Sequence, residues 1–186
     1  MDLVRDSALG VEFEIDPRFA RVDPVRAWET ADGHEPPPPG PAALGDDLPT
    51  AHFIACEPSA GWIAALAIVT VGADPLPAGE WLARQLERAR ASFAEWSPAA
   101  HRMLVPPAAA ELAGRPALHV RYELSGAEPE GSSAGVTTPP SLVEHWTVLV
   151  EERAWLLVLE LMVQPPGRWA VDEAALGLPF RTLTLI

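Results

Sequence analysis

The chain reads as an α+β fold, an antiparallel β-sheet with one long helix and shorter helices packed on it, and three stretches point there. From Ser141 to Gln164, two apolar runs rich in Val, Leu, Trp and Thr flank the charged cluster Glu151-Glu152-Arg153, the pattern of a β-hairpin. From Trp62 to Val71 both alternating sets are apolar, the mark of a central strand sheltered on both faces. From Gly79 to Trp96, Leu82, Leu86, Ala89, Phe93 and Trp96 share one helical stripe, away from Glu80, Arg84, Glu87, Arg88 and Glu95. A helix over Ser141 to Gln164 is the rival reading, but it would scatter Leu157, Leu159 and Leu161 round the cylinder.

Taken in order, Val11 to Ile15 alternates apolar and acidic residues and ends at Asp16-Pro17, a short half-buried strand and a turn. Asp23-Pro24 has the form of an N-cap with proline at the first helical position, opening a brief helix. Residues 33–49 include four successive prolines and read as an extended surface loop, or alternatively as a ligand for an aromatic-lined groove. Ala51 to Cys56 and Trp62 to Val71 pair as a first hairpin. Ser97-Pro98 stops the long helix, and Arg102 to Leu112 has room for a short strand. Arg115 to Leu124 alternates cleanly, with Leu118, Val120, Tyr122 and Leu124 on one side and His119, Arg121 and Glu123 on the other. Residues 125–140 form a polar loop. Pro165-Pro166-Gly167 ends the second hairpin, Asp172-Glu173 starts a short helix ending near Gly177, and Phe180 to Ile186 alternates as a last strand. We therefore expect one domain over residues 1–186.

The totals exclude several chemistries. With 186 residues, 48% of them hydrophobic, one core suffices to bury about 70% of the unfolded surface. All thirteen basic residues are arginine; without lysine there is no phosphate-loop lysine, Schiff base or lysine general base. Abundant alanine and proline with no lysine or asparagine is the bias of a GC-rich bacterial genome. A formal charge of −13 repels a phosphate backbone, so nucleic acid is not an expected partner. Cys56 is the single cysteine and can form no internal disulfide. No apolar stretch has the length of a membrane span or export signal, which leads us to expect a cytoplasmic protein. No nucleophile elbow, His-Glu-x-x-His, Cys-x-x-Cys or phosphate-cradling glycine loop is present, so no cofactor is expected.

The order of elements, with Gly10-Val11-Glu12-Phe13 followed by Pro17, the run Leu112 to Ala117 leading into a strand with Arg121-Tyr122, and the late hairpin closed by a short helix and strand, resembles the PsbP-like superfamily. That α/β sandwich includes photosystem accessory proteins, a Ran-binding import factor, LpqN-type lipoproteins and secretion-effector chaperones. The resemblance implies a fold and a bias toward binding over catalysis, but no catalytic residue.

The candidate site follows from strand parity. A turn centred on Glu152-Arg153 sets Val150 opposite Trp155, Val148 opposite Leu157 and Trp146 opposite Leu159 on an apolar face. The other face pairs His145 with Glu160 and Thr147 with Val158. His119, Arg121 and Glu123 are expected to extend this second face, giving a polar stripe of binding residues beside Leu149, Leu156 and Met162. An ionised Glu160 would raise the imidazole pKa of His145 toward neutrality. The bland alternative is a solvated or helix-covered face; a metal on His119, His145 and Glu160 is the remaining one. Arg84, Arg88, Arg90 and Arg102, interspersed with glutamates, form a solvated ridge or an anion patch. Trp62, Trp96, Trp146 and Trp155 suit core positions, whereas Trp28, Trp81 and Trp169 are free to anchor an interface.

Two function classes follow. At least two strands are apolar on both faces, yet the chain offers one good amphipathic helix and two short ones, so the second face has thin cover, completed either by the proline-rich segment or by another polypeptide. This suggests a binding protein or chaperone-like adaptor contacting a protein partner, or itself, through a sheet face. The alternative is a small-molecule binder or enzyme with a pocket between sheet and helix around His119, His145 and Glu160.

Overall fold

The computed structural model describes residues 1–22, 50–73, 76–95, 101–125 and 140–186. The brief helix expected from Asp23, the proline-rich segment, nearly all of the 125–140 loop, Trp28 and Trp96 lie outside the described residues. The large antiparallel sheet runs in the order β3 (Ala20–Val22), β4 (Thr50–Glu57), β5 (Trp62–Gly72), β9 (Trp155–Gln164), β8 (Ser141–Val150), β7 (Arg115–Leu124) and β6 (His101–Leu112). A smaller antiparallel sheet has the order β1 (Asp2–Asp6), β2 (Val11–Ile15), β10 (Thr184–Leu185). With the helices α1 (Ala78–Ala94), α2 (Gly167–Leu176) and α3 (Leu178–Thr182), this is the α+β class that the patterning predicts.

One face of the large sheet is closed by the small sheet and the C-terminal helices. Phe53, Leu66, Ile68, Leu157, Leu159, Leu161 and Val163 pack with Val11, Phe13, Ile15, Leu176 and Phe180 in one buried cluster, and Phe13 meets Phe53 edge to face at 5.8 Å. Arg153, in the β8–β9 turn, donates to the carbonyls of Ala8 and Ile186 and lies over the Trp155 ring. It thereby ties the hairpin tip to the β1–β2 turn and to the residue after β10, which lie at one end of the small sheet. Gly10 makes room for this clasp: its φ is +72°, and a Cβ there would stand 2.6 Å from the guanidinium carbon. On the opposite face α1 packs over β6 and β7, with Phe93 against Tyr122 at 5.3 Å.

Several elements differ from expectation. The alternation of Phe180 to Ile186 was expected to form a strand, but Pro179 at the start of α3 seeds a helical turn and only Thr184–Leu185 pairs with β2. The second helix begins at Gly167, straight after the cis bond to Pro165, rather than at Asp172-Glu173. β1, with its charged ends, carried no strand signal. β6 spans twelve residues, not a short strand, and it is an edge: Pro106 and Pro107 remove two donors, and its register with β7 shifts on both sides of Val105. Trp81 and Trp169, read as uncommitted, are 2% and 6% exposed and belong to the interior.

Candidate functional site

The β8–β9 register matches the expected one, with Val150 opposite Trp155, Trp146 opposite Leu159, His145 opposite Glu160 and Thr147 opposite Val158. The next strand does not follow suit. β7 places Val120, not His119 or Arg121, opposite His145, so the single polar stripe is divided. Side chains alternate with a period of two, and a pairing shifted by one residue sends the whole set to the other face. His145, Thr147 and Glu160 lie on the α1 side; His119, Arg121 and Glu123 lie on the closed side.

On the closed side two of the three, His119 and Arg121, meet a residue that sequence reasoning passed over. Glu144 is buried, its side chain 3% exposed. It accepts from His119 Nε2 at 2.7 Å, from Trp146 Nε1 at 2.9 Å and from Arg121 Nε. Burial opposes its ionisation, but the hydrogen bonds and charges of His119 and Arg121 outweigh it and hold the carboxyl below the ordinary value. An ionised carboxylate only accepts, so His119 carries its proton on Nε2. The His119 ring stacks on Trp146 at 4.1 Å, Trp146 lies 6.3 Å from Phe180, and Arg121 covers the Trp169 ring at 4.9 Å. Glu123 pairs instead with Arg102 at 2.7 Å, near the sheet edge. Glu144 is thus the hub that fastens β7 to β8 beneath α2 and α3. A glutamate inside an apolar strand, next to a strand bearing a histidine and an arginine at i and i+2, was the available signal.

The α1 side is built differently. His145 Nδ1 lies 3.2 Å from Glu160 Oε2 and Nε2 lies 3.0 Å from Thr147 Oγ1, while the Glu160 side chain is 46% exposed. Burial, then the Glu160 charge, raises the pKa of Tyr122 and keeps its phenol protonated. Hydroxyl, imidazole and carboxylate stand in the order of a nucleophilic triad. Thr147, however, is only 6% exposed, and β8 is an interior strand whose N–H groups serve the ladders to β7 and β9, so β8 itself offers no backbone donor for an oxyanion.

Around this relay the α1 side of β4, β5 and β9 is apolar and only half-buried: Ile54, Ala65, Ala67, Val69, Val71, Leu156, Val158 and Met162. Ile63, on the same face, is exposed. That face ends in a groove of about 450 Å³ lined by Cys56, Trp62, Ile63, Pro140, Gln164 and Pro165. Among the described residues no three His, Cys, Asp or Glu side chains are grouped to hold a metal ion, and no helix is long and apolar enough to cross a membrane. In the ridge on α1 and β6, Arg90 reaches the Pro107 carbonyl at 3.4 Å and Arg102 is held by Glu123.

No family model matches the chain, and no curated protein matches it. Among solved structures it is similar to the crystal structure of LpqN involved in cell envelope biogenesis of Mycobacterium tuberculosis, with a TM-score of 0.52 and 12% identity over 94% of this chain and 82% of that one. At such identity the likeness is one of fold.

Proposed function

We propose that this protein is a non-enzymatic binding protein, an adaptor or chaperone-like module, that takes a protein partner against the α1 side of β4, β5 and β9. One observation carries the reading: the largest sheet has a continuous apolar area, from Ile54 across Ala65 and Val69 to Val158 and Met162, that is not fully buried. Exposed contiguous apolar surface marks an interaction site more often than an accident of packing. The enzyme reading draws no comparable support, because His119 and His145 point from opposite faces and the acceptors of Glu144 are taken. We also infer descent within the PsbP-like superfamily, which the fold likeness to LpqN supports, and a cytoplasmic setting, where the exposed Cys56 would stay reduced.

A photo-crosslinking amino acid placed at Val158, or at Val171 on exposed α2 as control, tests the reading in cells that express the protein. A discrete adduct from position 158 and none from 171 is the expected result. Equal labelling from both positions would remove the face as a docking surface.

A further inference from the structure

The face also carries information about what it receives. Across the positions of β4, β5, β9 and β8 that lie on this side, Glu160 is the only Asp, Glu or Arg. Burial lowers the pKa of His52, the imidazole on β4, and so favours its neutral form. The flanking helix α1 carries both signs, with Glu80 and Glu87 beside Arg84, Arg88 and Arg90. The one fixed charge amid the apolar positions is therefore negative, it is nearly half exposed, and it belongs to a chain of formal charge −13.

From this we infer, building on the binding role proposed above, that the occupant is a cationic amphipathic segment of another protein, apolar on one side and bearing Arg or Lys to meet Glu160. Charge complementarity selects this occupant over a second copy of the chain. A copy would bring a further −13 and, about a two-fold axis, present the same carboxylate to strands that carry no arginine on this side to neutralise it. A cationic segment finds the field of the whole protein attractive at a distance and one defined acceptor on arrival.

Cys56 allows this to be read directly, because it is the single cysteine, exposed, and lines the groove at the end of the face. The protein is labelled there with an environment-sensitive dye. It is then titrated with a sixteen-residue amphipathic helix-forming peptide, about half Leu and Ala and half Arg and Gln, and with the same peptide carrying Glu for Arg. Saturable binding of the Arg peptide, at least about tenfold tighter than the Glu peptide, is the expected result, with a loss of roughly fivefold in E160Q. Val158→Asp supplies the decisive arm. It adds negative charge, so unspecific attraction would grow, whereas docking on the face must fall by more than tenfold; Ile54→Asp on the outer β4 repeats the arm should V158D not fold, as judged by circular dichroism.

Binding unchanged or stronger in these variants overturns the inference. So does a dimer in sedimentation equilibrium that V158D or I54D dissolves. Equal affinity for the Arg and Glu peptides overturns the charge selection while leaving the face as a binding surface. Failure of both peptides, with crosslinking at Val158 retained, overturns the cationic occupant alone; failure of both experiments overturns the binding role itself.

Discussion

Glu144 and Glu160 sit on facing strands of one sheet, yet they lead opposite lives. Glu144 is enclosed, with three donors on its two oxygens; Glu160 is nearly half exposed and meets a single imidazole. A buried carboxylate with donors on both oxygens holds strands together and has little left to offer a ligand. An exposed one amid apolar residues contributes little to stability and remains available. The two faces thus treat their carboxylates differently: one encloses it among donors from two strands, the other leaves it nearly half exposed.

The contrast can be broken most directly at Glu144. Replacement by Ala strands Arg121, His119 and the Trp146 indole together, and we expect a loss of about 3 kcal/mol in urea unfolding at pH 7, with E144Q losing about half as much. A change under about 0.5 kcal/mol would mean that Glu144 is no hub.

Acid sharpens the same contrast. The lowered carboxyl pKa of Glu144, with those of Asp6, which caps the β1–β2 turn and meets Arg21, and Asp16, held by Arg18, means that the unfolded chain takes up protons first. Their contribution is complete above the ordinary carboxylate value of about 4 and vanishes as pH falls through the lower folded values. Stability should therefore fall below about pH 5, less steeply in E144Q than in the parent chain, on top of a shallower loss from His52, whose buried imidazole resists protonation as pH drops through the ordinary value of about 6.5. Parallel acid limbs for the two proteins in thermal melts would contradict this.

The smallest expected effect is at Glu160. E160Q should shift unfolding by less than about 0.5 kcal/mol while weakening the Arg peptide, so stability and binding separate at one residue. A large stability loss would place Glu160 with Glu144 as a structural group.

The hairpin was legible in full because Glu151-Glu152-Arg153 locates its turn, and in a tight connection the turn sets every opposing pair. The β7–β8 pairing was not. A long polar segment joins those strands and leaves the register free, so the parity of His119 against His145 was settled by packing: Trp146 and His119 stack, and Val120 with Tyr122 meets Phe93 on α1. Glu144 escaped notice for the same reason, since its partners come from a strand whose alignment local patterning does not carry. The long helix was read from its stripe to within two residues of its observed end, yet Trp81, one position off that stripe, is its deepest residue. One good helix and two short ones promise little cover for strands apolar on both sides, and among the described residues the α1 side of β4, β5 and β9 is only half-buried.

The two adjacent prolines of β6 bear on how such a surface can be tolerated. A sheet that leaves oily side chains in reach of water invites crowding, but contacts made by side chains alone come apart again. Templated growth into fibrils needs a rank of free amides along a rim, and Pro106, Pro107 and the shifts around Val105 interrupt that rank on the longest rim available. Molecules that brush together through that face therefore meet no long unbroken rim on β6 to extend, and have a way back to solution.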